Sequence, residues 1–290
     1  MTNNFEEVIW QQGQELYRDM PWRRDTRPYY VLVSELMLQQ TQVDRVIPKF
    51  QAFIKEFPNE RSLAEASLAE VLKFWQGLGY NRRAKFLHEA VKMIVNQYDG
   101  VFPENEADLL KLPGVGKNTA GAICAYAFNR PSLFVETNIR TVYIHHFFND
   151  QFEVDDKQIT EKMKETVSWA KGKEQPDKFS HKFDGARRKT VGLSYEPRAF
   201  YWALMDYGSW LKANGVRNTS RSKHYRKQAP LKGSLREARG AILRHLTTQD
   251  MKVAELQKVV NMSDRFTAAV DGLIRDGLII RIGDYLHLTK

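Results

Sequence analysis

Residues 33–42, VSELMLQQTQ, set one carboxylate, Glu35, inside an apolar run and follow it with two glutamines. On a helix, the neighbours of Glu35 at three and four positions are Val31, Leu32, Leu38 and Gln39. Apolar surroundings penalise the charged form of a carboxyl group, so Glu35 is expected to hold its proton to higher pH than usual. That suits a general acid near neutral pH. The plainer alternative is a solvent-facing glutamate in mid-helix.

A second chemical signal is LPGVGKNTAGAI, residues 112–123. Gly114 and Gly116 flank one valine just ahead of a helix that opens with Asn118, Thr119 and Ala120. Two glycines permit a tight turn and leave backbone N–H groups uncovered. With the helix N-terminus, those groups form a cradle for a phosphate, and Lys117 adds positive charge. The spacing of a nucleotide-binding G-x-x-x-x-G-K-[ST] loop is absent. Leu112 and Pro113 ahead of the glycines point to a helix-hairpin-helix, against an ordinary helix connection as the alternative. Such a hairpin holds a DNA strand through its backbone and cannot read sequence.

These residues need a scaffold, and the periodicity supplies helices. Residues 5–18 carry the stripe Phe5, Val8, Ile9, Leu16 and Tyr17. A helix starts near Pro28, a tolerated early position, and Pro48 marks a helix start or kink in the next segment. The repeated SLAE at 62–65 and 67–70 offers Ser62 and Ser67 as N-caps, each with a glutamate to complete a capping box. No convincing strand pair precedes residue 278, so the body reads as all-α. Composition turns polar and basic over 217–234, with a linker proper at 226–234. Residues 235–290 then read as three short helices and two strands turning at Gly283-Asp284, the plan of a winged helix.

The 290 residues carry 44 Lys and Arg against 35 Asp and Glu, a net charge of +9. That balance fits a polyanionic partner such as nucleic acid, and equally a merely basic protein. The one cysteine, Cys124, excludes an intramolecular disulfide and a cysteine-rich metal site; its setting, AGAICAYAF, reads as apolar core. No run of eighteen apolar residues exists and the N-terminus is polar and acidic, so neither a membrane span nor a signal peptide is expected. The expected location is cytoplasmic, at the nucleoid in a bacterium, or nuclear in a eukaryote.

Four segments together carry a family likeness: MPWRRDTRPYYVLVSELMLQQTQVDRVIPKFQAFIKEFP, FWQGLGYNRRAKFLHEA, FPENEADLLKLPGVGKNTAGAI and VETNIRTV, covering most of residues 20–142. The chain resembles the helix-hairpin-helix DNA glycosylases of the endonuclease III superfamily, and within it the MutY-type adenine DNA glycosylases. The resemblance implies a two-lobed glycosylase domain over 1–225. One lobe is a six-helix body at about 25–135; the N-terminal helix and 136–225 make the other. It implies excision of a base flipped into a pocket. Glu35 would protonate the departing adenine. Glu136 would be the anion that steadies positive charge on the sugar, although the family normally has aspartate there. Gln39 and Gln40 would enter the gap left by the flipped base, and Asn138 would support Glu136. Tyr80, Arg82, Gly114, Gly116, Lys117, Asn118 and Thr119 complete the implied DNA contacts. Asn118 stands where bifunctional relatives carry a lysine nucleophile, which implies base hydrolysis without efficient strand cleavage.

Two features depart from the family. The four cysteines of its iron–sulfur cluster are missing, so no cofactor is expected beyond a monovalent cation at the hairpin. Its oxoguanine-reading C-terminal domain is also missing, replaced by the winged-helix-like end. The partner implied is double-stranded DNA carrying a mispaired or damaged base, bound by a monomer. Removal of uracil, thymine or a deaminated purine by the same fold is the alternative chemistry; a non-catalytic damage-binding protein is the alternative class.

Overall fold

The computed structural model describes residues 5–167, 196–227 and 229–289. The basic stretch with Arg187, Arg188 and Lys189 lies outside them. The chain divides into two compact units, one of residues 1–20 and 117–226, the other of 21–116 and 227–290. Breaks between these units in the chain order fall between Met20 and Pro21 and between Gly116 and Lys117.

In chain order, α1 (Phe5–Glu15) belongs to the first unit. Seven helices of the second unit follow: α2 (Pro21–Arg24), α3 (Pro28–Leu38), α4 (Val43–Glu56), α5 (Glu60–Glu65), α6 (Leu68–Trp75), α7 (Arg82–Gln97) and α8 (Glu106–Leu109). The chain returns to the first unit with α9 (Lys117–Tyr126), α10 (Thr137–Phe147), α11 (Asp156–Thr166) and α12 (Pro197–Ala213). The C-terminal segment adds α13 (Leu235–Leu246), β1 (Met251–Lys252), α14 (Val253–Val260), α15 (Ser263–Arg275), β2 (Ile279–Ile282) and β3 (Tyr285–Leu288) to the second unit.

The second unit is organised by aromatic burial. Tyr29, Phe53 and Trp75 are at most 2% exposed, and Phe53 meets Trp75 edge-on at 6.1 Å. The Tyr29 hydroxyl donates to the Phe57 carbonyl at 2.8 Å, so the buried phenol keeps its hydrogen bond. Ser67 caps α6 and Glu70 closes the box, as its sequence predicts. Ser62 does not cap α5. Asn59 does, accepting from Ser62 N at 2.9 Å, and Ser62 is the third helical residue of that box. Pro48 sits inside α4 rather than at its start. The buried face of Val46, Phe50 and Phe53 runs past it and carries the helix through.

In the first unit, α12 packs against α1, α9 and α10. Asp206 on α12, 2% exposed, accepts from Arg18 Nε at 2.6 Å and from Arg18 N at 3.1 Å, tying down the chain that leaves α1. The C-terminal segment has a three-stranded antiparallel sheet in the order β1-β3-β2. The sequence reading expected only β2 and β3; β1 is two residues long and pairs with β3. Gly283 opens the β2–β3 turn with φ of +59°, the conformation that a two-residue turn with glycine first requires.

Candidate active site and nucleic-acid interface

Glu35 lies on the last turns of α3, half-buried, among Val31 at 2% exposure and Leu32 at 0%. The chain leaves the helix through Gln39, whose N–H bonds the Glu35 carbonyl at 3.3 Å. Gln40 follows with φ of +55°. Tyr80, in the loop between α6 and α7, has φ of +48°. Among the described residues, four other non-glycine residues take positive φ, three of them Asn or Asp, types that tolerate it. Gln40 and Tyr80 are costlier, at about 1–3 kcal/mol each, and persist only where the surroundings over-determine them.

Arg83 is what over-determines them. It is 7% exposed, and its Nη1 donates to the carbonyls of Leu36 and Met37 at 2.7 and 2.9 Å and to that of Gln39. Its Nη2 reaches Gly79 O at 2.9 Å and Thr41 Oγ1 at 3.1 Å. One guanidinium thus satisfies the orphan carbonyls at the end of α3 and fastens the Gln39–Gln40 turn to the Tyr80 loop. Burial pushes its pKa down to about 10, still leaving it charged at neutral pH. The sequence reading singled out Arg82 and passed over Arg83. Helical phase carries the missing signal: Arg83 shares the buried face of α7 with Ala84, Leu87, Val91 and Ile94. Arg82 points outward, its guanidinium 4.9 Å from the Phe86 ring centre and 3.9 Å from Asp276.

The two glycines of the LPGVG turn are not equivalent. Gly114 has φ of +78°, and a Cβ there would stand 2.7 Å from Phe86 Cβ. Gly116 has neither constraint: a Cβ added to it meets nothing within 4 Å. What its hydrogen leaves clear is the approach to the backbone from outside. Lys117, also exposed, begins α9 in the first unit. The Asn118 amide is engaged with the backbone of Val135, donating to O at 3.0 Å and accepting from N at 3.4 Å. Thr119 is buried at 9% exposure. Of the α9 residues implied as DNA contacts, Lys117 is thus presented outward, while Asn118 braces the strand of chain ahead of Glu136.

Glu136 is the N-cap residue of α10, with extended backbone and no side-chain cap bond. Burial pushes its carboxyl above the usual range, and the Arg140 charge opposes this only in part. Arg140 also grips both oxygens of Asp156 through Nε and Nη2, at 2.7 and 2.8 Å, a bidentate pair. Asn138, the second residue of α10, is pressed against α12. Its backbone would lie 2.4 Å from any Cβ at Gly208, and its Nδ2 faces Met205 Sδ at 3.8 Å.

The chain cannot ligate a four-cysteine cluster. Its one thiol, Cys124, is 5% exposed in the apolar α9. Residues 217–226 are held by other means. Val154 pairs with Ser222 in a parallel bridge, flanked by Val154 N to Arg221 O at 2.8 Å and Lys223 N to Val154 O at 3.1 Å. Asn218 Nδ2 donates to the Thr141 carbonyl at 2.9 Å, and Lys223 pairs with Asp155 at 3.3 Å. The Lys157 N–H and then that ammonium hold the Asp155 carboxyl at about 2.

Residues 33–169 match the profile of the HhH-GPD superfamily base excision DNA repair protein. The adenine DNA glycosylase of Mycolicibacterium smegmatis is 34% identical over 277 residues, which are 92% of this chain and 89% of that one. The adenine DNA glycosylase of Buchnera aphidicola subsp. Baizongia pistaciae is 39% identical over 150 residues, 52% of this chain. The chain spans only 42%, 37% and 38% of the lengths of three Buchnera relatives that it matches. In fold it is similar to a thermostable thymine-DNA glycosylase, with TM-score 0.54 and 24% identity over 71% of this chain and 84% of that one. The 3-methyladenine DNA glycosylase of H. pylori gives TM-score 0.53 at 15% identity over 73% and 98%. These structures share the fold with it; the sequence match along nearly its whole length carries the finer assignment, and the chain belongs to the adenine DNA glycosylase family of the HhH-GPD superfamily.

Proposed function

We propose that this protein is a monofunctional DNA glycosylase that hydrolyses the N-glycosyl bond of adenine mispaired with guanine or 8-oxoguanine in duplex DNA. The observation that carries this reading is the 34% identity to the Mycolicibacterium smegmatis adenine DNA glycosylase across 92% of the chain. Glu35 donates a proton to the departing adenine, the bond between base and sugar breaks, and the Glu35 carboxylate then takes a proton from the water that adds to the sugar. Glu136, as an anion, offsets positive charge on the sugar during that step. Its buried setting makes the anion costly in the free protein and strong in its effect on a nearby cation. Gln39, Gln40 and Tyr80 enter the duplex where the base has left. The bare backbone at Gly116, with Lys117, takes a phosphate. Asn118, lacking an amine, forms no Schiff base, so the strand stays whole.

Replacing Glu35 with glutamine tests the assignment. Glu35→Gln removes the proton donor and keeps the shape, so adenine release should fall by at least about 10²-fold while duplex affinity stays close to that of the unaltered protein. Release is read by alkaline cleavage of the abasic product from each mispair. A variant that releases base at the original rate would sink the proposal.

A further inference from the structure

A cleft of about 550 Å³ opens in the second unit between the Gln39–Gln40 turn, Tyr80 and the first turn of α13. The C-terminal segment brings Leu235 and Arg236 to its wall. Arg236 donates from Nη1 to the Tyr80 hydroxyl, and its guanidinium lies 5.1 Å from the Tyr80 ring centre. Two neighbouring arginines on the same wall face Asp276: Arg239 in a close ion pair and Arg82 at 3.9 Å. Arg236 pairs with no carboxylate among the described residues; besides Tyr80, its Nη2 reaches only the Ala229 carbonyl, at 3.4 Å.

We propose that Arg236 reads the base left without a partner on the opposite strand, and that the base it selects is a guanine presenting O6 and N7. The inference deepens the glycosylase reading and rests on it, because an orphaned base exists only where the mispaired one has been extruded. A guanidinium has donors and no acceptor, arranged as a planar fork. Guanine is the base whose edge offers two adjacent acceptors, O6 and N7; adenine sets a donor beside N7, cytosine offers a donor, and thymine a single acceptor. The wall formed by the Gln39–Gln40 turn and Tyr80 suits a flat ring, with an aromatic side chain and two side-chain amides, while Leu235 lies exposed beside Arg236. That wall is rigid in advance, since Arg83 fixes both turns that carry it, so little ordering remains to be done on binding. The Tyr80 hydroxyl occupies the fork in the free protein and can exchange for a base oxygen.

The test compares duplexes bearing adenine opposite guanine with duplexes bearing adenine opposite 7-deazaguanine, in which carbon replaces the N7 acceptor. Affinity is measured with Glu35→Gln protein, with and without Arg236→Ala or Arg236→Lys, at one fixed salt concentration. Arg236-containing protein should bind the guanine duplex roughly ten-fold more tightly than the 7-deazaguanine duplex. Arg236→Ala should bind the two equally. Arg236→Lys, which keeps the charge and the stem but loses the fork, should also lose the preference while remaining folded by thermal unfolding. A preference that survives in both variants, or no preference in the parent, overturns the proposal. An equal weakening on both duplexes in Arg236→Ala, with the parent showing no preference, makes Arg236 a phosphate contact and overturns it as well. Adenine release by protein with Glu35 intact is followed in parallel. Its absence from every duplex would refute the glycosylase reading, while the affinity ratios still decide Arg236.

Discussion

Glycine 208 is where a single methyl group should separate stability from catalysis. It lies on α12, and a Cβ built there stands 2.4 Å from Asn138 O, 2.8 Å from its C and 2.9 Å from its Cα. All three atoms are backbone, so no rotamer relieves the overlap. Restoring ordinary contact at about 3.5 Å requires α10 and α12 to part by roughly 1 Å. Overpacking of this kind costs about 1–3 kcal/mol. Alanine gains about 1 kcal/mol over glycine in a helix interior, so Gly208→Ala should be destabilised by up to about 2 kcal/mol net. The displaced end of α10 carries Glu136 two residues before Asn138. A shift of roughly 1 Å at Glu136, in its proposed place facing the reacting sugar, costs on the order of 10²-fold in rate.

The control is Gly13→Ala on α1. There the new Cβ meets the Ala203 methyl carbon at 2.5 Å, again on α12 but in its contact with α1. Urea unfolding should show a comparable loss for both variants. Single-turnover adenine release, measured where both are folded, should slow only in Gly208→Ala. If Gly208→Ala is stabilised by the full helix-propensity gain, or if the two variants release base at equal rates, α12 does not set the position of Glu136.

Other substitutions test the remaining contacts. Because burial raises the Glu136 pKa in the folded protein, the folded state binds a proton that the unfolded chain has already released just above pH 4.5. The ionised form therefore destabilises, and the stability deficit grows as pH rises through the folded pKa. Glu136→Gln should accordingly be more stable than its parent at neutral pH, with the gap closing toward the ordinary carboxylate range; a pH-independent gap in denaturant unfolding would reject burial as the cause. Arg83→Ala should cost about 3 kcal/mol or more by leaving helix-end and loop carbonyls unsatisfied, and Arg83→Lys should restore only part, since a point charge cannot serve both turns. Full stability in either variant by thermal unfolding would remove Arg83 as the brace. Lys117→Ala should weaken binding to all duplexes alike and reduce the slope of log affinity against log salt by about 1; an unaltered slope would take Lys117 out of the interface.

What could be seen in the sequence is what depends on neighbours in the chain. The box at Ser67 and Glu70 closes over three residues, and the glycine opening the β2–β3 turn answers to local φ alone. Ser62 misled because two capping residues stand three apart, and the asparagine ahead of it wins the helix start. Strand β1 was missed because two residues carry no period and its partner lies more than thirty positions away. Arg82 and Arg83 are adjacent and chemically identical; only the phase of α7 sends one outward and the other to the carbonyls of α3. Glu35 and the glycine turn were legible as candidate chemistry because an acid in an apolar run and uncovered backbone are unusual in themselves. Arg236 was not, since its meaning arises from Tyr80, far earlier in the chain.

The resemblance implies an aspartate where this chain carries Glu136, and the first unit indicates where an extra methylene would be absorbed. The backbone on one side of Glu136 is fastened by Asn118, whose amide bonds both the N–H and the carbonyl of Val135. On the other side Asn138 is pressed against Gly208, with no room for α10 to move toward α12. The charge that could draw the longer side chain along the helix, Arg140, is already clasped by Asp156. With the backbone fixed at both flanks and Arg140 engaged, the added length must be taken up by the torsions of the side chain itself. A glutamate has one more rotatable bond than an aspartate to lose, so ordering this acid costs somewhat more entropy. The close fit at Gly208 and the double hold on Val135 are what limit that cost, because a side chain rooted in a fixed backbone has fewer arrangements to search.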